Sequence, residues 1–132
     1  MSTYPRVLVI DDDEIVREAM CSILQGAGCT VLDAGSPIGV TKSIVDNQID
    51  VVVLDVMMPD ISGDKLAKLL RNNPRMHQLS IILVSGADVT RLTQMATEVK
   101  ADALVAKADI HSELSHVVLT AFRRRQMRSS IR

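Results

Sequence analysis

Arg6-Val7-Leu8-Val9-Ile10 is an aliphatic, largely β-branched run that stops abruptly at four acids, Asp11-Asp12-Asp13-Glu14. The run has the length and composition of a strand. From the acids to Ala27, the residues Val16, Met20, Ile23 and Ala27 recur at three- and four-residue spacing, with Arg17, Glu18 and Ser22 between them. That spacing predicts a helix with one buried face, ended by Gly26 and Gly28. A strand, an acidic turn and an amphipathic helix make one βα unit, and the rest of the chain repeats the pattern.

Thr30 to Ala34 reads as a second strand, followed by Gly35-Ser36-Pro37 and a helix to about Val45, with Pro37 as its first residue and Ile38, Val40, Ile44 and Val45 as its apolar positions. Ile49 to Leu54 is apolar apart from Asp50, as expected of a strand covered on both faces, and it ends at Asp55. A loop, Met57-Met58-Pro59-Asp60-Ile61-Ser62-Gly63, leads into a helix from Asp64 to about Asn72 through Leu66, Leu69 and Leu70. Ser80 to Val84 is the fourth strand. Asp88 is placed to cap a helix marked by Val89, Leu92, Ala96 and Val99. Ala103 to Ala106 is the fifth strand, and Asp109 is placed to cap a last helix through Ile110, Leu114, Val117, Val118 and Ala121. Five such units predict an α/β domain with a doubly wound, five-stranded parallel sheet, order 2-1-3-4-5, and helices on both faces. Residues 1–122 form that domain in this reading, and 123–132 a basic C-terminal tail or truncated linker.

Composition fits one domain. The 132 residues are 47% hydrophobic and 23% charged, enough apolar material for a core. Tyr4 and Phe122 are the only aromatic residues, which leaves almost nothing for base-stacking platforms or aromatic cages. No apolar stretch approaches the twenty residues of a membrane span. The segment Met1 to Arg6 lacks the pattern of a secretory signal, so a cytoplasmic setting is expected. Cys21 and Cys29 are spaced for neither zinc nor a redox pair and are expected as reduced, buried thiols. His77, His111 and His116 have no metal-ligand spacing. Five arginines and no acid fall in the last ten residues of a chain whose net charge is −1. These arginines read first as a solvated helix end favoured by the macrodipole, then as a linker, then as an anionic docking segment. Without aromatic neighbours they do not support direct nucleic-acid binding.

Sites in open α/β sheets form at the carboxyl ends of strands, and those ends are polar here. The first strand ends in Asp11 and Asp12, the third in Asp55, the fourth in Ser85 and the fifth in Lys107. In the order 2-1-3-4-5 these strands are neighbours, so three carboxylates, a hydroxyl and an ammonium converge. Carboxylates that close repel one another unless a cation intervenes, and Mg²⁺ favours a few carboxylates plus water and phosphate oxygens. An ionised Asp can attack phosphorus to give an acyl phosphate, with Ser85 and Lys107 holding the phosphoryl oxygens.

Val9-Ile10-Asp11-Asp12, Leu54-Asp55-Val56-Met57-Met58-Pro59 to Gly63, Val84-Ser85-Gly86 and Val105-Ala106-Lys107 together resemble the CheY-like receiver domain of bacterial response regulators, over about residues 5 to 122. The resemblance implies that Asp55 is the phosphoacceptor. It further implies that Asp11, Asp12, Asp55 and the Met57 backbone carbonyl serve Mg²⁺, Asp11 mostly through metal-bound water, and that Ser85 and Lys107 bind the phosphoryl group. The donor would be a histidine kinase or a phosphotransfer protein, and the readout a downstream output protein or domain. Two positions depart from the family pattern. Ala108 stands where a proline usually follows the lysine, so a trans peptide is expected, and Leu104 stands where an aromatic residue usually lies. Two other readings remain open. One is a haloacid-dehalogenase-type phosphatase or phosphotransferase, in which Met57 stands where a second Asp belongs; the other is a receiver-like scaffold that works without phosphorylation.

Overall fold

The computed structural model describes residues 3–58, 61–86 and 89–131, with the side chains of 89–92 and 129–131 outside the description. Five strands, β1 (Arg6–Ile10), β2 (Thr30–Ala34), β3 (Val51–Asp55), β4 (Ser80–Ser85) and β5 (Ala103–Ala106), form one parallel sheet in the order β2-β1-β3-β4-β5. Between and after them run α1 (Glu14–Gly26), α2 (Val40–Asp46), α3 (Gly63–Arg71), α4 (Val89–Glu98) and α5 (Ile110–Ile131). The doubly wound α/β reading of the sequence is therefore correct.

The two-residue period of a strand sorts the core into two layers. Leu8, Ile10, Val52, Leu54, Ile81 and Leu83 face Val40, Ile44, Leu66, Leu70 and Val99 of the α2, α3 and α4 side. The alternate residues Val7, Val9, Val51, Val53, Ile82 and Val84 face Met20 and Leu24 of α1 and Leu114, Val118 and Phe122 of α5. Phe122 is thus part of the core. With both faces covered, β3 and β4 are buried at every residue, which is why they are apolar except at their ends rather than alternating.

Several boundaries differ from the sequence reading. Pro37 does not begin α2: Gly39 adopts φ +76°, a left-handed conformation that cannot belong to the helix, so α2 starts at Val40 and Ile38 is left 84% exposed. Leu69 is likewise on the solvent face of α3, because Leu66, Ala67 and Leu70 already fill the buried stripe. Residues 49 and 50 precede β3. Asp50 instead ties strand starts together, its Oδ2 accepting from Arg6 N at 2.8 Å and its backbone O from Ser80 N at 3.0 Å. Asp109 closes a 3-10 turn, Lys107–Asp109, that runs directly into α5, and its carbonyl accepts from Ser112 Oγ. The cap expected at Asp88 lies outside the described residues, as do Pro59 and Asp60 of the third loop and the side chains of Val89 and Leu92 in α4. Gly28, at φ +99°, ends the turn after α1 as expected. Cys29 is buried and Cys21 only half-buried, both free. No helix among the described residues is long and apolar enough to cross a membrane.

Candidate functional site at the carboxyl edge of the sheet

Asp11 follows directly on β1, and its side chain is completely buried. The turn explains how the chain holds it there. Its Oδ1 accepts from Asp13 N at 2.9 Å, and its backbone O accepts from Arg17 Nη1 at 2.7 Å, while Arg17 also pairs with Asp33. Asp13 caps α1, its Oδ1 accepting from Ile15 N at 3.0 Å and Val16 N at 3.2 Å. The acidic run therefore divides its labour. Asp13 caps the helix, Asp12 is exposed, and Asp11 points inward.

Asp55, the last residue of β3, is 1% exposed. Its Oδ1 accepts from Met57 N at 3.0 Å, and its Oδ2 from Lys107 Nζ at 3.4 Å. Lys107 Nζ also lies 3.8 Å from Asp11 Oδ2. The peptide after Lys107 is trans, as expected, and the 3-10 turn beginning at that residue still brings the ammonium between the two acids. One carboxylate oxygen from each of Asp11, Asp12 and Asp55 falls within 4.8 Å of the others. Ser85 ends β4 fully buried, in register with Ala106 on β5 and one residue beyond Val84, the partner of Asp55. Met57 is 67% exposed and Met58 buried in the core. Leu104, half-buried, packs on the α4 side of the sheet. His77, His111 and His116 are all exposed, and none joins the acid cluster.

Burial pushes the Asp11 carboxyl up to about 6, and the negative charge of Asp55 adds to the rise, while the Asp13 backbone N–H and Lys107 oppose it. Asp11 Oδ2, although buried, has no hydrogen-bond partner. Buried carboxylate oxygens are rarely left unsatisfied. Two buried acids, a third exposed one and an orphaned oxygen directed at one point make a hard-oxygen donor set that suits a small divalent cation.

Two contributors escaped the sequence reading. Arg17 reads from the sequence only as a polar spacer of α1, yet it holds the Asp11 backbone. Gly63, where α3 begins, lies so close to β3 that a Cβ there would collide with Asp55 O and stand 2.8 Å from Val56 Cα, while its N–H donates to Val56 O at 2.9 Å. The glycine in the loop motif was the available signal, since close backbone approach is a standard use of that residue.

A family model described as the response regulator receiver domain matches residues 7–119. PilG of Pseudomonas aeruginosa is 29% identical over 83 residues, which is 63% of this chain and 62% of that protein. A cyclic di-GMP phosphodiesterase of Thermotoga maritima is 31% identical over 115 residues, covering 86% of this chain but 30% of the phosphodiesterase. The chain thus spans less than two thirds of the length of these curated relatives. Among solved structures, the receiver domain of the Francisella response regulator 1452 superposes with a TM-score of 0.81 at 28% identity, over 91% of this chain and 98% of that one. With the receiver-domain model matching residues 7–119 and the parallel sheet in the order β2-β1-β3-β4-β5, the chain belongs to the response regulator receiver domain family.

Proposed function

We propose that the chain is a phosphorylation-controlled switch in which Asp55 accepts a phosphoryl group from a histidine kinase or phosphotransfer protein. The phosphorylated form then changes its binding to a downstream output protein or domain. The observation that carries this reading is the buried Asp11–Asp55 pair facing the single ammonium of Lys107 at the open sheet edge. A carboxylate oxygen of Asp55 attacks phosphorus, the bond from phosphorus to the donor breaks, and the donor departs with that electron pair and takes a proton. Asp55 is left as an acyl phosphate. Lys107, now loosely shared between two carboxylates, transfers its contact to a phosphoryl oxygen, and the Ser85 hydroxyl donates to another. Access is open beside Gly86, where an added Cβ would meet nothing within 4 Å.

Asp11, Asp12, Asp55 and the Met57 carbonyl would hold Mg²⁺, which when bound supplies neutralisation of the charge gathering on the phosphoryl oxygens. The chain works as a phosphoacceptor that assists its own phosphorylation and dephosphorylation, not as a turnover enzyme. Its setting in this reading is cytoplasmic, with no direct contact to nucleic acid. Incubation with a small acyl-phosphate donor and Mg²⁺, followed by intact mass measurement, tests it. One phosphoryl group should be gained, and gained neither by Asp55→Asn nor in the presence of a chelator. An unmodified wild-type mass, or a modified Asp55→Asn, would overturn the assignment. Repeated turnover of a phosphate monoester would favour the phosphatase reading instead.

A further inference from the structure

At the opposite end of the sheet, where β5 begins, a groove of about 620 Å³ lies between the turn after α4 and the C-terminal half of α5. Five cationic side chains line it, Arg71, Lys100, Arg124, Arg125 and Arg128, against one carboxylate, Asp102. That carboxylate is saturated. It accepts from Arg71 Nη2 at 2.8 Å, from Arg125 Nε at 3.0 Å and Nη2 at 2.8 Å, and from Ile81 N at 2.7 Å.

The remaining donors of the two inner arginines go to backbone carbonyls. Arg71 reaches Leu79 O and Lys100 O, and Arg125 reaches His77 O. Arg71 and Arg125 are therefore a fixed positive base rather than free donors. Burial, joined by the charge of Arg125, draws the Arg71 guanidinium below its ordinary value even with Asp102 beside it.

Arg124 and Arg128 are different. They lie one helical turn apart on α5, are exposed, and have no ion pair or side-chain hydrogen bond among the described residues. Like charges at this spacing repel. Lys100 joins them from the turn after α4, held at φ +56°, a conformation uncommon for a residue with a side chain. The rest of the lining is Ala101, Ala103, Val117 and Ala121, small or apolar side chains that a hydrated inorganic ion cannot use, together with His116 and Thr120. Its volume falls in the range of small-molecule sites, about 300–1,000 Å³.

We propose that this groove is a binding site for a nucleoside polyphosphate, with the base and sugar against the lining of Ala101, Ala103, Val117 and Ala121 and the phosphates against Arg124, Arg128 and Lys100. The site is independent of the acidic pocket and of the phosphorylation reading. Isothermal titration calorimetry on the full chain, in EDTA at about 0.15 M salt to screen nonspecific attraction, tests it with ADP as the probe. One ADP per chain should bind saturably, inorganic phosphate at least about tenfold more weakly, and adenosine without measurable heat. Arg124→Ala/Arg128→Ala should weaken ADP by about tenfold or more, with an unchanged circular dichroism spectrum and no fall in melting temperature, because neither side chain has a partner to lose. Asp55→Asn should leave ADP binding as it is. The proposal is overturned by an absence of saturable binding, by phosphate binding as tightly as ADP, or by full affinity in the double arginine variant. It is also overturned if polyglutamate competes ADP away at a lower concentration of carboxylate than of nucleotide, which would make the groove a docking site for acidic protein.

Discussion

Lys107 Nζ lies 3.4 Å from Asp55 Oδ2 and 3.8 Å from Asp11 Oδ2, one cation between two buried acids that the chain separates by dozens of residues. The geometry is loose for either pair alone and serves both at once. Removing a member of such a group has a sign that depends on which charge goes. Lys107→Ala leaves two buried carboxylates facing each other and should lower stability by about 1–2 kcal/mol, while Asp55→Asn relieves the repulsion and should raise it, both without divalent cation. Urea unfolding in EDTA reads the two signs. Destabilisation by Asp55→Asn would mean that attraction to Lys107 outweighs repulsion from Asp11.

The raised Asp11 carboxyl makes the pH dependence of the metal-free protein run opposite to that of an ordinary paired carboxylate. Its value is about 6 in the folded chain against the ordinary 3.8, so the folded state binds more protons than the unfolded state between those values. This group's contribution therefore falls as pH rises through that window. Around it stand Asp55 on β3, the exposed Asp12, Lys107 after β5 and the Asp13 N–H, so the titration belongs to the pocket as a unit. Divalent cation must displace the proton. Mg²⁺ should bind about tenfold more weakly at pH 5 than at pH 7.5, and its rise in melting temperature should shrink in step. A magnesium effect of equal size at both values would remove Asp11 from the metal site.

The strand ends were legible because four of the five apolar runs end in, or just before, a polar residue at a place where the fold must open a crevice: Asp11, Asp55, Ser85 and Lys107 all lie where that rule puts them. What hid were the pairs distant in the chain that lie away from that crevice, and some local helix boundaries. Arg125 reads from sequence as one more arginine on a solvated helix end, yet it is held by Asp102 and His77 O. Nothing in the local pattern of either residue marks the other. Pro37 pointed to a helix start by its own preference, and Gly39 two residues later overrode it. Leu69 matched the helical period, but a short helix on a sheet buries a stripe narrower than all its leucines.

Gly63 gives a test of how tightly the phosphoacceptor strand is held. At this position α3 meets the end of β3 backbone to backbone, and the atoms that a Cβ would strike belong to Asp55 and Val56, which have no side-chain freedom to yield. Gly63→Ala should cost about 2–3 kcal/mol in urea unfolding, on the scale of overpacking in a rigid core. Gly26→Ala, in α1 with open space around the added methyl, should be neutral or stabilising. Equal behaviour of the two variants would show that α3 can move away from Asp55 without penalty.

Asp102 is the strongest candidate for a single side chain that fixes the basic end of the molecule. Its carboxylate joins α3 through Arg71, β4 through Ile81 N and α5 through Arg125, with side-chain exposures of 12% for Arg71, 14% for Asp102 and 19% for Arg125. Asp102→Ala strands two guanidinium groups with only backbone carbonyls for company and leaves the Ile81 N–H unmatched. Breaking a largely buried charge group in this way costs about 3–5 kcal/mol. Asp102→Asn keeps an acceptor for Ile81 N but loses the charge, so it should fall between wild type and the alanine variant. The loss should also be local. Hydrogen exchange in the last turns of α5, beyond Phe122, should accelerate more than exchange in α1, because the core contacts of Leu114 and Val118 hold the first half of α5 regardless of Asp102. Uniform acceleration across both helices would mean that Asp102 supports the whole fold and does not specifically dock the arginine-rich end of α5.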